Sequence, residues 1–346
     1  MKIKKILISI ILLSLFSGGL MSGMFDDLKK KNLKKELSKK KKAKEKSLKN
    51  DLLKQKELKL IAELTKEIEQ MQKDIIAGDF KFNVKINDLM KLDLLDLTGL
   101  SVPKKKKKRR SKKKRKDISD KKFADDLREH CNSKAKSFDW RDYNIVPPIK
   151  QQGKCGSCYM FSAMASYESG YRLFYKKNID VSEQHFLDCR GTGKCQGGWY
   201  GTVFEKMMKA GGMEEGRYPY SGKNSSCKVK SGSKYYSLNS GNIGRHLKMA
   251  KVSQIKEGLC KHGVLSTTVY VSRMFTAYSG GIFDENKRKK VNHAVNIVGW
   301  DDSKKSWLIR NSWGTKWGEN GYMWIEYGSN NIGFGTVWVS PRELSE

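Results

Sequence analysis

Neither tryptophan nor cysteine occurs before residue 131, although the 346-residue chain holds eight of one and seven of the other. That absence denies the first part a rich core and places the working domain after it. Acidic residues are also short, with 37 Asp+Glu against 70 Lys+Arg and a formal net charge of +33. Residues 1–130 hold 38 basic and 19 acidic side chains and residues 131–346 hold 32 and 18, so the two parts carry +19 and +14. A net +14 favours acidic substrates or polyanionic surfaces, as an average field rather than a pocket. Proline is missing from 26–77, a stretch crowded with Lys, Glu and Leu, which removes the strongest helix breaker.

Three lysines in Met1–Lys5, an apolar run from Ile6 to Phe16 and then Ser17, Gly18 and Gly19 read as a signal peptide over 1–20. The competing reading is a signal anchor, since the apolar stretch extends towards Met24. Either directs the chain into the secretory pathway, towards a lysosome, a vacuole or the exterior, where cysteines pair. Ile61, Leu64, Ile68, Met71 and Ile75 are spaced as an apolar seam on a helix. Phe80 to Leu92 reads as a short strand or extended turn. After Pro103, twelve of the thirteen residues Lys104–Lys116 are basic. Such a run repels itself and stays solvated, so 104–130 is a linker. An easily opened linker is also a cleavage site, and a polyanion-binding arm is a further reading. A specific nucleic-acid partner is not expected.

From Phe138 onwards aromatics and turn residues are dense. Ser157 is placed to cap a helix running through Phe161, Met164, Ala165 and Glu168. A second helix covers Thr202–Ala210 and closes on Gly211-Gly212. Val264–Val271, Ala294–Trp300, Trp307–Arg310 and Tyr322–Tyr327 read as strands. A helical half followed by a strand-rich half predicts an α+β domain with two lobes.

Cys158, in Cys155-Gly156-Ser157-Cys158, stands at the predicted helix start, where backbone N–H groups and the helix dipole favour a thiolate. Seven cysteines less one reactive thiol leave six, which allow fifteen pairings. The C-x-x-C spacing leaves open a thiol–disulfide exchange protein using Cys155 and Cys158. Of five histidines, His293 opens an apolar strand 135 residues after Cys158, a position that points into a cleft. His130, His185, His246 and His262 read as ordinary surface or core residues. Asn311 lies 18 residues beyond His293 and offers an amide oxygen to fix the ring's tautomer.

The blocks Gln152-x-x-Cys155-Gly156-Ser157-Cys158, His293-Ala294-Val295 and Asn311-Ser312-Trp313-Gly314 resemble, in this order, those of the papain-like cysteine peptidases. The likeness covers about residues 138–341. It implies a papain-like two-lobe α+β fold, with a helical first lobe, a β-barrel-like second lobe and the active site in the cleft between. It implies a helical pro-segment over 21–103 and a catalytic domain over 131–346. Cys158 would be the nucleophile, His293 the base and later the acid, and Asn311 the orienter. Gln152 and the Cys158 amide would hold the oxyanion. Gly197 and Gly198 would pair with the substrate backbone. Trp199, Ala294 and Val337 would line an apolar pocket for the second residue before the scissile bond, and Trp313 would shield the His–Asn bond. The resemblance pairs Cys155 with Cys195 and Cys189 with Cys227, leaving Cys131 and Cys260 to join each other. The chain departs from the pattern at Tyr159, Asn292, Lys287 and Ile332. The pro-segment match Asn87-x-Leu89-x-Lys91 is partial, with Lys91 where an Asp is usual. No insertion with paired histidines marks a carboxydipeptidase, so the implied activity is that of an endopeptidase. The expected partners are protein or peptide substrates and the chain's own pro-segment as inhibitor. The enzyme is expected to be a monomer without cofactor or metal. A non-catalytic papain-like binding homologue is the remaining alternative.

Overall fold

The computed structural model describes residues 18–104, 118, 121, 126–229 and 231–344, and of residues 18–28 the backbone alone. Residues 1–17 of the expected signal peptide (1–20) and residues 105–116 of the basic run (104–116) lie outside the described residues. The chain falls into two units, Met1–Glu63 and Leu64–Glu346. Helix α1 spans Gly18–Ala77. In the first unit Leu33, Leu37, Leu48, Leu52, Leu53 and Leu58 are exposed. Among the described residues no helix is long and apolar enough to cross a membrane.

The second unit begins where α1 gains a buried face. Leu64, Ile68 and Met71 are buried, Ile75 is half-buried, and Ile61 in the first unit is exposed. The working seam is thus shorter than its periodicity predicts. A Gly78–Phe80 turn leads to strand β1 (Phe82–Val84), which pairs antiparallel with β7 (Tyr278–Phe283). A short helix α2 (Leu94–Leu97) follows.

The sheet contains β2 (Ser137–Asp139), β5 (Ser237–Asn242), β6 (Leu265–Val269), β8 (His293–Asp301), β9 (Ser306–Arg310), β10 (Tyr322–Glu326) and β11 (Phe334–Pro341) besides β1 and β7. Their order is β1-β7-β10-β9-β8-β6-β11-β5, with β2 added on β8. The β-barrel-like closure expected of this lobe is not reached, because no hydrogen-bonded ladder joins the end strands β1 and β5. The sheet stays open, and α6 (Val252–His262) packs on β6, β8 and β11.

Helix α3 (Cys158–Tyr175) joins the helical part to the sheet, and nearly all of it is buried. Its small polar residues allow close approach to the strands. Ser162 donates to the Val295 carbonyl at 2.9 Å, Asn296 Nδ2–H donates to the Ser162 carbonyl at 2.8 Å, and the Ser166 and Ser266 hydroxyls meet at 2.9 Å. Helices α4 (Glu183–Cys189) and α5 (Tyr200–Ala210) pack against α3. Gly211, with φ of 62°, ends α5 in a conformation that suits glycine. Disulfides join Cys155 to Cys195, Cys189 to Cys227 and Cys131 to Cys260. Because α3 is wedged against β8, its first residue, Cys158, and the first residue of β8, His293, lie at one end of the same joint.

Candidate active site

Cys158 opens α3, where the backbone N–H groups of the first turn have no intrahelical acceptor. It is the one free cysteine and is buried. The backbone groups of Ala294, Tyr159, Gly99 and Cys158 itself lie against the sulfur, and Ala294 is the neighbour of His293. Ser157 occupies the cap position but makes no side-chain cap bond. Its hydroxyl instead bonds Tyr220 Oη at 2.7 Å, and Tyr220 Oη–H donates to the Gln152 carbonyl at 2.9 Å. The expected Ser157 cap is therefore replaced by a brace between the Gln152 loop and the nucleophile's turn.

His293 Nε2 bonds Asn311 Oδ1 at 2.8 Å. The same oxygen accepts the Ser312 amide at 2.8 Å, so it acts as acceptor and the imidazole donates from Nε2. That assignment leaves Nδ1 as the basic nitrogen; it is buried and makes no hydrogen bond. Trp313 lies on the His293 ring with centroids 4.7 Å apart and is itself almost fully buried. Excluding water there strengthens the His–Asn bond. Phe275 and Trp317 pack edge-on against Trp313 from behind, at 5.8 and 5.1 Å.

Gln152 is held on both sides. Its Oε1 accepts from Ser312 Oγ at 2.7 Å, its backbone amide donates to the Ser312 carbonyl at 2.9 Å, and its Nε2–H donates to the Cys155 and Leu97 carbonyls at 2.9 and 3.1 Å. Gly197, with φ of 121°, and Gly198 form β4, paired with β3 (Gly193–Lys194). Trp199 stacks on Tyr200 at 4.2 Å, and both belong to one buried cluster with Cys158, Ala294 and Val337. The fold thus gathers Gln152, Cys158, His293, Asn311, Trp313, Ala294, Trp199, Val337 and the Gly197–Gly198 strand around one cleft.

That cleft is filled by the chain's own residues 97–102, a feature the motifs did not show. The Leu97 carbonyl sits between Gln152 Nε2 and Trp313 Nε1, the latter at 3.2 Å. The Gly99 and Leu100 amides donate to the Asn292 carbonyl at 3.2 and 3.1 Å. Gly198 N–H donates to the Gly99 carbonyl at 2.9 Å and Ser101 N–H to the Gly198 carbonyl at 2.8 Å, giving a parallel pairing of Leu100 with Gly198. A Cβ on Gly99 would lie 1.8 Å from the Gly156 carbonyl oxygen, so only glycine passes there. Leu100 and Val102 pack against the cluster that holds Trp199 and Val337. The signal in the sequence was the uncharged run Leu97-Thr98-Gly99-Leu100-Ser101-Val102-Pro103, set between acidic residues and the basic linker.

Burial under this segment reverses the expected ionisation. Desolvation pushes the Cys158 thiol up to about 12, outweighing the backbone groups that favour the thiolate. It also pulls His293 down to about 4, against the Asn311 bond that favours the imidazolium. With residues 97–102 in place, burial favours the neutral thiol and the neutral imidazole over the expected thiolate.

Residues 134–341 match the sequence model of the papain family of cysteine proteases. The chain belongs to this family. A thiol protease aleurain-like protein of Arabidopsis thaliana is 37% identical over 219 residues, 59% of this chain and 59% of the relative. A viral cathepsin of Orgyia pseudotsugata multicapsid polyhedrosis virus is 34% identical over 211 residues, covering 60% of this chain and 64% of the relative. The chain spans about three fifths of the length of these curated relatives. Among solved structures, the digestive procathepsin L2 proteinase from Tenebrio molitor larval midgut shares the fold, with a TM-score of 0.64 and 24% identity over 80% of this chain and 90% of that one. The bromelain protease of Ananas comosus, solved with the E64 inhibitor, aligns at 29% identity and a TM-score of 0.54, covering 60% of this papain-family chain and 99% of its own.

Proposed function

We propose that this papain-family chain is a cysteine endopeptidase made as an inactive precursor, with residues 64–103 as its built-in inhibitor. The observation that carries the reading is the single unpaired thiol, Cys158, set at a helix start against the Ala294 amide beside His293. When the inhibitory segment leaves, water re-enters and the burial that holds the pair neutral is relieved. The Cys158 thiol then gives its proton to His293 Nδ1, and the resulting thiolate attacks the peptide carbonyl. A C–S bond forms, and the carbonyl electron pair moves to oxygen, held by Gln152 Nε2–H and the Cys158 amide. The imidazolium of His293 gives its proton to the departing amine as the C–N bond breaks. Water, deprotonated by His293, hydrolyses the thioester and restores the thiol.

The Gln152–Leu97 contact supports the oxyanion role, because a carbonyl oxygen already occupies that donor. Leu100 and Val102, packed on the Trp199, Ala294 and Val337 cluster, support an apolar preference at the second residue before the scissile bond. Three disulfides fit an oxidising compartment such as a lysosome, a vacuole or the exterior. Thiol–disulfide exchange is not favoured, since Cys155 is bonded to Cys195 and buried. The test is hydrolysis of a Leu-containing amide reporter by activated chain. Cys158→Ala is expected to abolish it with folding intact, and retained turnover would falsify the assignment.

A further inference from the structure

The inhibitory segment shows what the cleft recognises beyond the reacting bond. Past Leu97, on the side of Trp313 away from Gly198, the segment lies on α7 (Arg273–Ala277). Asn87 Nδ2–H donates to the Thr276 carbonyl at 2.8 Å, and that carbonyl also accepts Trp317 Nε1–H at 3.2 Å. Arg273 grips the Glu67 carboxylate with two bonds, at 2.8 Å from Nε and 2.6 Å from Nη2, and donates to the Met90 carbonyl at 3.1 Å. Both carboxylates acting on Arg273, those of Glu67 and Asp93, belong to the segment. Asp88 is paired first with Lys91 of the segment itself, at 3.0 Å, and exposed Lys316, next to Trp317, adds a smaller attraction to it. Three segment acids, Asp88, Asp93 and Asp96, thus fall within the nine residues before Leu97.

Loss of the segment removes every one of these partners and leaves a guanidinium and an ammonium bordering the cleft. The Gly198 and Trp199 side is assigned to residues before the scissile bond, so the α7 side receives those after it. We infer that Arg273 and Lys316 form a cationic rim selecting substrates with acidic residues a few positions downstream of the cleaved bond. The Arg273 fork supplies the geometry, because two parallel N–H groups match a carboxylate better than a point charge does. The inference rests on the proposed peptidase activity and assigns two of the catalytic part's positive charges to a defined edge.

The test uses full-length protein folded first and then activated by limited trypsin treatment of the basic linker. Internally quenched peptides share an apolar residue two positions before the cut and carry Glu, Ala or Lys at the third to fifth positions after it. Each rate is normalised to that of an amide reporter with no downstream residues. Wild type is expected to prefer Glu over Lys by about fivefold in kcat/KM, with the preference shrinking in high salt. Arg273→Ala should reduce the preference and Arg273→Glu should invert it, while Lys316→Glu should shift it in the same direction. Equal rates for the Glu and Lys peptides in wild type would overturn the rim. A preference unchanged by all three substitutions would overturn its assignment to these residues. No cleavage of the amide reporter by any form would sink the peptidase reading, and the rim with it.

Discussion

The catalytic region and the segment lying in its cleft are held in place by different physics. The region from residue 131 onwards is tied by three disulfides and a continuous aromatic and aliphatic core, with Trp140, Trp300, Trp307 and Trp317 fully buried. The segment from Leu64 to Pro103 is held without a disulfide, by buried apolar side chains (Leu64, Ile68 and Met71 on the seam, then Phe82, Val84, Leu89, Met90 and Leu97), a three-residue edge strand, a part-exposed ion pair to Arg273 and a set of backbone hydrogen bonds. A site built the first way persists when its cover leaves, and a cover held the second way can leave. On the proposed reading, the contrast teaches that inhibition needs no distortion of the catalytic residues. Covering the site and desolvating its thiol and imidazole would serve, and both would end with the segment's departure.

The sharpest way to break this contrast is to remove a group that serves both regions. Gln152→Ala is expected to lower kcat of the activated form by about 10² to 10³, the usual loss for one oxyanion donor. It should also loosen the segment by deleting the bond to the Leu97 carbonyl. Steady-state kinetics and inhibition by added segment peptide read the two effects separately, and an unchanged kcat would refute a donor role.

A smaller effect belongs to the cover alone. Ile68→Ala should cost about 2 to 3 kcal/mol of segment docking, near the low end for deleting a buried aliphatic side chain. That corresponds to a leak of activity from the intact chain, while the melting temperature of the activated form stays as it was. A matching fall in that melting temperature would show that the two regions are not energetically separate.

The smallest effect is electrostatic. Hydrogen bonding and charge from Arg273 hold Glu67 below the usual glutamate value of 4.5. A carboxyl depressed in the docked state contributes stability that is complete above its free value and lost as pH falls through its docked value. Acid below about 4.5 should therefore weaken docking, by an amount that solvent limits because the pair is part-exposed. Glu67→Gln should weaken docking at neutral pH and flatten its acid dependence. Segment release followed by fluorescence across pH decides it, and an identical acid profile in the variant would remove the pair from the mechanism.

Much of the site was legible because its signals are local. His293 stands out by its place at the head of an apolar strand, whereas Asn311 and Trp313 were singled out by the resemblance of their block to the papain-like peptidases. Helix α3 starts directly after Ser157, as its spacing put it, and α5 starts and stops within a few residues of where spacing and Gly211 put it. Other readings failed where a residue's partner is distant in the chain. Ser157 looked like a helix cap, but Tyr220, 63 residues away, takes its hydroxyl. The seam including Ile61 has the right period, yet nothing in that period says where burial begins. The contacts of Tyr220 and Arg273 had no motif to announce them.

By itself the sequence determined which reactive groups this protein owns, their order along the chain and the helix start and strand end that carry them. Those are matters of side-chain chemistry and short-range spacing, written in consecutive residues. Only the tertiary structure decided which of fifteen cysteine pairings forms, what occupies the cleft, and whether the thiol and the imidazole are charged. Solvation and long-range pairing decide such questions, because the energy of a buried charge depends on every atom around it. At Cys158 those atoms include Gly99 and Ala294, which lie 59 residues before it and 136 after it.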